Sequence, residues 1–187
     1  MQIRALDIPE VKLITPRIFR DARGFFSETF NTRALAEAGI EGAFVQDNHA
    51  LSARKGVVRG LHFQAPPHAQ AKLVRVTKGA IYDVAVDIRQ GSPRFGRHVA
   101  AVLSAENWDQ MWVPAGFAHG YCTLEPDTEV IYKVTDYYSP QSERAIMWND
   151  PALGIPWPVP PDEVQVSAKD TGNPPLAALP TMFSYRA

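Results

Sequence analysis

Apolar and polar residues along this chain alternate with a period of two far more often than with the period of a helix, in short runs cut by glycine and proline. Leu73 to Val76 and Ile81 to Ile88 flank Lys78-Gly79 and read as a hairpin, with Gly79 free to take the positive φ of the turn. In the second of these strands Tyr82, Val84, Val86 and Ile88 alternate with Ile81, Asp83, Ala85 and Asp87, so one face is apolar and the other mixed. Further strands are predicted over Val58 to Gln64, Val99 to Leu103, Met111 to Val113, Gly120 to Leu124 and Thr128 to Thr135, with turns at Gly91-Ser92-Pro93, Pro114-Ala115-Gly116 and Glu125-Pro126-Asp127. Only Asn31 to Gly39 carries helix signals, with Asn31 or Thr32 as N-cap and Gly39 as C-cap. After Pro151 the pattern loosens into proline-rich segments with room for a short helix.

Many short antiparallel strands mean an all-β sandwich or barrel, and a rolled barrel of this size can hold one small ligand in its mouth. The 187 residues suit a single domain, 1–187. The 19 Lys and Arg against 20 Asp and Glu create no long-range basic field, which excludes nucleic acid or an anionic membrane as a partner. Any anionic ligand must be gripped by locally placed cations. The lone cysteine, Cys122, precludes an intramolecular disulfide and speaks against a cysteine-based metal site. The start, Met1 to Asp7, lacks a signal-peptide pattern, and no run of 18 apolar residues occurs, so the expected location is cytoplasmic.

The densest chemistry lies in Val58-Arg59-Gly60-Leu61-His62-Phe63-Gln64 and the Lys72 that follows. A histidine is a natural general base near neutral pH, and Arg59 and Lys72 offer positive charge to a phosphate or a developing oxyanion. Strict alternation sets Arg59 and His62 on opposite faces, so both can line one cavity only if the strand twists or bulges, most easily at Gly60. Tyr132 shares the inward face of Val130 and Val134. It is either a core tyrosine bonded to a backbone carbonyl or a hydroxyl offered to a ligand. Asp170 is either a solvated surface acid or the partner that orients His62. Tyr137-Tyr138 either stacks on a planar base or packs at a rim.

Taken together these blocks resemble the RmlC family, the dTDP-4-dehydrorhamnose 3,5-epimerases. The resemblance runs through Asp21-Ala22-Arg23-Gly24-Phe25-Phe26-Ser27-Glu28, Phe44 to His49, Val58 to Gln64, Asp83 to Arg89, Pro114 to Gly120, Tyr132 to Tyr138 and Ser167 to Asp170. Phe63 and Tyr121 exchange a Tyr and a Phe relative to the usual pattern. The resemblance implies a cupin-type jelly roll, a homodimer that exchanges its N-terminal strand, a C-terminal proline-rich segment packed on the barrel, and a dTDP-sugar substrate. It gives His62 the role of base, Asp170 that of its partner, Tyr132 that of acid, and Lys72 that of enolate stabiliser. Arg23, Glu28, Gln46, Asn48, Arg59, His119, Glu143 and Lys169 match substrate-contacting positions, and Tyr138 matches a thymine-stacking position. No cofactor is expected. No metal is expected either, since the H-x-H pair of metal-binding cupins is broken here by Gln64. Alternatives are an epimerase acting only at C3 or C5, a ketoisomerase of the same fold, and a non-catalytic barrel that senses a sugar nucleotide.

Overall fold

The structure is a computed structural model, and it describes residues 1–185. Its strands, in chain order, are β1 (Gln2–Ala5), β2 (Lys12–Thr15), β3 (Ile18–Asp21), β4 (Gly24–Ser27), β5 (Gln46–Ser52), β6 (Val57–Gln64), β7 (Lys72–Lys78) and β8 (Ala80–Asp87). They continue with β9 (Arg89–Gln90), β10 (His98–Ser104), β11 (Gln110–Val113), β12 (Phe117–Thr123), β13 (Thr128–Val134), β14 (Glu143–Ala145), β15 (Gln165–Val166) and β16 (Phe183–Ser184). Helix α1 (Thr32–Glu37) starts where expected, with the Asn31 side chain accepting from Ala34 N. Gly39 follows its end at φ 73°. A single turn of helix, α2 (Ala168–Thr171), lies near the end of the chain.

Two sheets face each other as a jelly roll. One has the order β1-β2-β11-β7-β13-β5 and the other β10-β8-β12-β6-β14, with β15 added parallel to β6. The expected hairpin of β7 and β8 is not formed. The strands fall where predicted, but β7 pairs with β11 and β13 while β8 pairs with β10 and β12. Gly79, at φ 75°, turns the chain from one sheet to the other, and a Cβ there would lie 2.4 Å from Thr128 Oγ1. Alternation reports which way side chains point but is silent on which strand lies alongside, and a corner between sheets uses the same glycine as a hairpin turn.

The sandwich interior is filled by Leu13, Val74, Val76, Ile81, Ala85, Leu103, Met111, Phe117, Tyr121 and Val130. The apolar face of β8 points away from it. Val84, Val86 and the neighbouring Ile88 instead pack with Leu61 and Ile146 under the C-terminal segment, against Ile155, Trp157, Leu176, Leu179 and Met182. Its mixed face, with Ile81, Asp83 and Ala85, looks into the barrel. β1 is the outermost strand of its sheet and pairs with β2 of its own chain, Gln2 opposite Thr15. Among the described residues no helix is long and apolar enough to cross a membrane.

Candidate active site

One end of the barrel opens into a cavity of about 510 Å³, within the range usual for small-molecule sites. Arg59, His62, Lys72, His119, Tyr121, Tyr132, Lys169 and Asp170 line it. A smaller recess of about 120 Å³ adjoins it, sharing His62, Lys72 and Tyr132 and adding Gln46, Asn48, Tyr138 and Glu143.

Arg59 and His62 do reach one cavity, and the irregularity lies at Gly60. The β12–β6 register shifts between His119 and Tyr121, opposite this point. The two backbones approach so closely that a Cβ on Gly60 would lie 2.5 Å from Gly120 Cα, and one on Gly120 would lie 2.8 Å from Arg59 O. Only glycine at both positions permits this contact. Arg59 is steadied by Ser52 Oγ and the carbonyl of Leu51, at 3.3 and 3.1 Å.

The C-terminal segment supplies the partner of His62. β15 zips onto Val57 and Val58, and α2 follows with Ser167 as its N-cap, its hydroxyl accepting from Asp170 N at 3.2 Å. This seats Asp170 Oδ1 2.5 Å from His62 Nε2, across 108 residues of chain. The Asp170 side chain is 5% exposed and that of His62 28%. Burial pulls the His62 pKa below its ordinary value, and the Asp170 carboxylate offsets part of the fall. His62 is therefore mostly neutral at neutral pH, as a base must be.

Lys72 donates to the His62 carbonyl at 3.3 Å and stands 6.0 Å from the centre of the Tyr132 ring. Burial brings its pKa down to about 8. Tyr132 shares the inward face with the fully buried Val130 and Val134, and burial raises its pKa, countered in part by Arg59. It packs on the core and also lines the cavity, and among the described residues its hydroxyl bonds no backbone carbonyl.

The recess is a chain of hydrogen bonds. Gln46 donates to Asn48 and accepts from the Tyr138 backbone N–H, at 3.0 and 3.1 Å. The Tyr138 hydroxyl and the Lys169 ammonium donate to the two oxygens of Glu143, at 2.8 and 2.7 Å. Burial would raise the Glu143 pKa, but these two donors hold it below the usual value. Tyr138 itself is half exposed, its ring available at the rim.

Two candidates are not brought to the cavity. Arg23 sits at the tip of the β3–β4 hairpin, paired with Asp21 at 2.6 Å, and its side chain is 90% exposed. Glu28 accepts from Asn31 at 3.0 Å just beyond β4. Around them Phe19, Phe25 and Phe26 are exposed. Two residues at the site went unread in the sequence. Gln64, buried, clamps the loops beside the recess by donating to the carbonyls of His68 and Tyr137 and accepting from Ser139 N–H. Asp83, fully buried, accepts from His119 Nε2 at 2.7 Å. Among the described residues no group of three or more His, Cys, Asp or Glu is placed to hold a metal ion.

The family model described as dTDP-4-dehydrorhamnose 3,5-epimerase matches residues 5–178. The chain belongs to this family. It is 53% identical to the dTDP-4-dehydrorhamnose 3,5-epimerase of Sinorhizobium fredii, over 99% of this chain and 94% of that protein. It is 55% identical to that of Pseudomonas aeruginosa, over 91% and 93%. The crystal structure of the RmlC epimerase of Legionella pneumophila, in complex with dTDP-4-keto-L-rhamnose, superposes with a TM-score of 0.95 at 46% identity. That match covers 100% of this chain and 99% of that one. The cupin-type all-β fold of this epimerase family is thus shared along its whole length.

Proposed function

We propose that this protein inverts both C3 and C5 of dTDP-4-dehydro-6-deoxy-D-glucose, giving dTDP-4-dehydro-L-rhamnose for dTDP-rhamnose biosynthesis. The observation that carries the reading is one cavity in which a neutral, carboxylate-held His62, a Lys72 ammonium and a Tyr132 phenol converge from three strands. The C4 ketone acidifies the hydrogens on both neighbouring carbons. His62 takes the proton from one of them, and the C–H electron pair moves into the enolate. Lys72 stabilises the negative charge on O4 far better in the closed barrel than water would. Tyr132 gives its proton to the opposite face, so the carbon is inverted. His62 then holds the abstracted proton and Tyr132 a phenolate, and exchange with solvent resets both before the second carbon. The ketone is its own electron sink, so the chemistry asks for no cofactor and no metal.

Arg59, His119 and Lys169 grip the sugar nucleotide, and Tyr138, with Gln46, Asn48 and Glu143 behind it, receives the thymine. Arg23 and Glu28 serve the same substrate from a second subunit. Their hairpin does not line its own cavity and bears three exposed phenylalanines, the mark of a surface made to be covered. The outer edge of β1 is where the partner's N-terminal strand would add or exchange. A nucleotide-linked substrate and a single buried thiol support a cytoplasmic location.

Proton NMR of the ketosugar nucleotide with this protein in D2O tests the assignment. Deuterium at both C3 and C5, with the L-lyxo product, is expected. Exchange at one carbon makes it a single-position epimerase, and binding without exchange makes it a sensor. Mixing His62→Ala with Arg23→Ala subunits should restore activity that neither has alone. No restoration would refute the contribution in trans.

A further inference from the structure

Asp83 lies on the barrel face of β8, with no solvent exposure. Its Oδ1 accepts from His119 Nε2 at 2.7 Å, while its Oδ2 is equally buried and has no hydrogen-bond partner among the described residues. A buried carboxylate with one bare oxygen is costly unless a cation offsets it.

The cation is at hand. Lys72 projects from β7 into the same interior. The groups facing it from β6, β12 and β13 are His62, Arg59, His119, Tyr121 and Tyr132, which bring no negative charge at neutral pH. Negative charge comes from three carboxylates on three other elements. Asp170 of α2 is committed to His62, and Glu143 of β14 to Tyr138 and Lys169. Of the three, only Asp83 has an oxygen that is both sealed from solvent and without a hydrogen-bond partner among the described residues, and its pull on Lys72 exceeds that of Glu143.

We infer that Asp83 is the internal counter-ion of the cavity, a positioning residue that fixes the tautomer of His119 through Oδ1 and keeps Lys72 cationic by its charge. The inference rests on the epimerase reading for its purpose, because an enolate needs an ammonium and not an amine beside it. Its physics is independent of that reading. Burial alone drives Lys72 toward neutrality, and its pKa of about 8 already includes the opposing pull of Asp83. Take that charge away and the lysine becomes neutral within the working pH range. The His119 bond has a second effect: with Nε2–H turned to Asp83, Nδ1 is the nitrogen left to other partners.

Asp83→Asn separates the charge from the shape, since the amide oxygen can still accept from His119. Lys72 is titrated in substrate-free protein by acetic anhydride labelling at a series of pH values, read by peptide mass spectrometry. Its midpoint should fall by about one pH unit, the size of one close charge interaction. The alkaline limb of C3 and C5 exchange should fall with it. An unchanged midpoint in folded Asp83→Asn overturns the inference. A shifted midpoint in Asp83→Asn, together with wild-type protein that exchanges neither carbon, upholds the counter-ion and removes the epimerase reading. Should Asp83→Asn not fold, Lys72→Arg replaces it: a guanidinium needs no counter-ion to stay charged, so the alkaline limb near pH 8 should vanish. A limb that persists in Lys72→Arg overturns the inference.

Discussion

Two histidine–aspartate pairs put their histidines into the same cavity, and they are built in opposite ways. His119 and Asp83 stand on adjacent strands β12 and β8, their side chains 7% and 0% exposed, so the barrel itself makes the pair. His62 and Asp170 meet only because β15 and α2 carry the end of the chain back to β6. The first pair is rigid and sealed, suited to holding charge in place. The second is at the mouth, its histidine 28% exposed, where a base can exchange its proton with solvent. On the proposed mechanism the same two residue types thus serve two tasks according to what holds them.

That division is broken most severely at the base. His62→Ala should lower solvent exchange at C3 and C5 by at least ~10²-fold, the low end of general-base contributions. His119→Ala should act mainly on KM for the sugar nucleotide. If both variants lose exchange equally, the sealed pair shares the chemistry and the distinction fails. Tyr132→Phe comes next, because it removes the proposed acid and leaves the proposed base. Deuterium incorporation should then outpace inversion, measured side by side by NMR, and equal loss of the two would make Tyr132 a positioning group.

The pH profile sharpens the comparison without mutation. His62 must be neutral and its pKa is lowered, so the acid limb of kcat/KM should lie below pH 6.5. Lys72 must be charged, so activity should fall again as pH rises through about 8. In Asp170→Asn the acid limb should move, since the charge on His62 loses its partner, while the alkaline limb should stay. Movement of both limbs would mean that the pairs are coupled. The smallest effect is expected from Ser167→Ala, which removes the cap of α2. It should cost about 1 kcal/mol locally, loosening Asp170 and trimming kcat with little change in the thermal midpoint of the barrel.

Much of this arrangement was legible beforehand, and the exceptions have physical causes. Period-two alternation located the strands over Val58 to Gln64 and Thr128 to Val134, and with them the inward direction of Tyr132. The need for an irregularity at Gly60 followed from spacing alone, and the crossing with Gly120 supplies it. Pairing partners were not legible. Gly79 turns a corner between sheets just as it could close a hairpin. Asp83 was passed over because the apolar face of β8 looks like the core side, whereas it lies under the C-terminal segment and the mixed face lines the barrel. The approach of Asp170 depends on β15, a two-residue strand too short to leave a pattern. The blocks that resemble the family joined these distant pieces where alternation could not.

The parallel zip of β15 onto β6 also sets an order of events in the life of each molecule. Every strand of the two sheets from β1 to β14 precedes residue 165 in the chain, so those strands leave the ribosome before Asp170 does. On the proposed mechanism the nascent protein gains its oriented base only as the closing segment docks. A chain terminated early by a stop codon in the proline-rich stretch would keep His62 but lose the carboxylate that orients it, and would leave bare the apolar face of Leu61, Val84 and Val86.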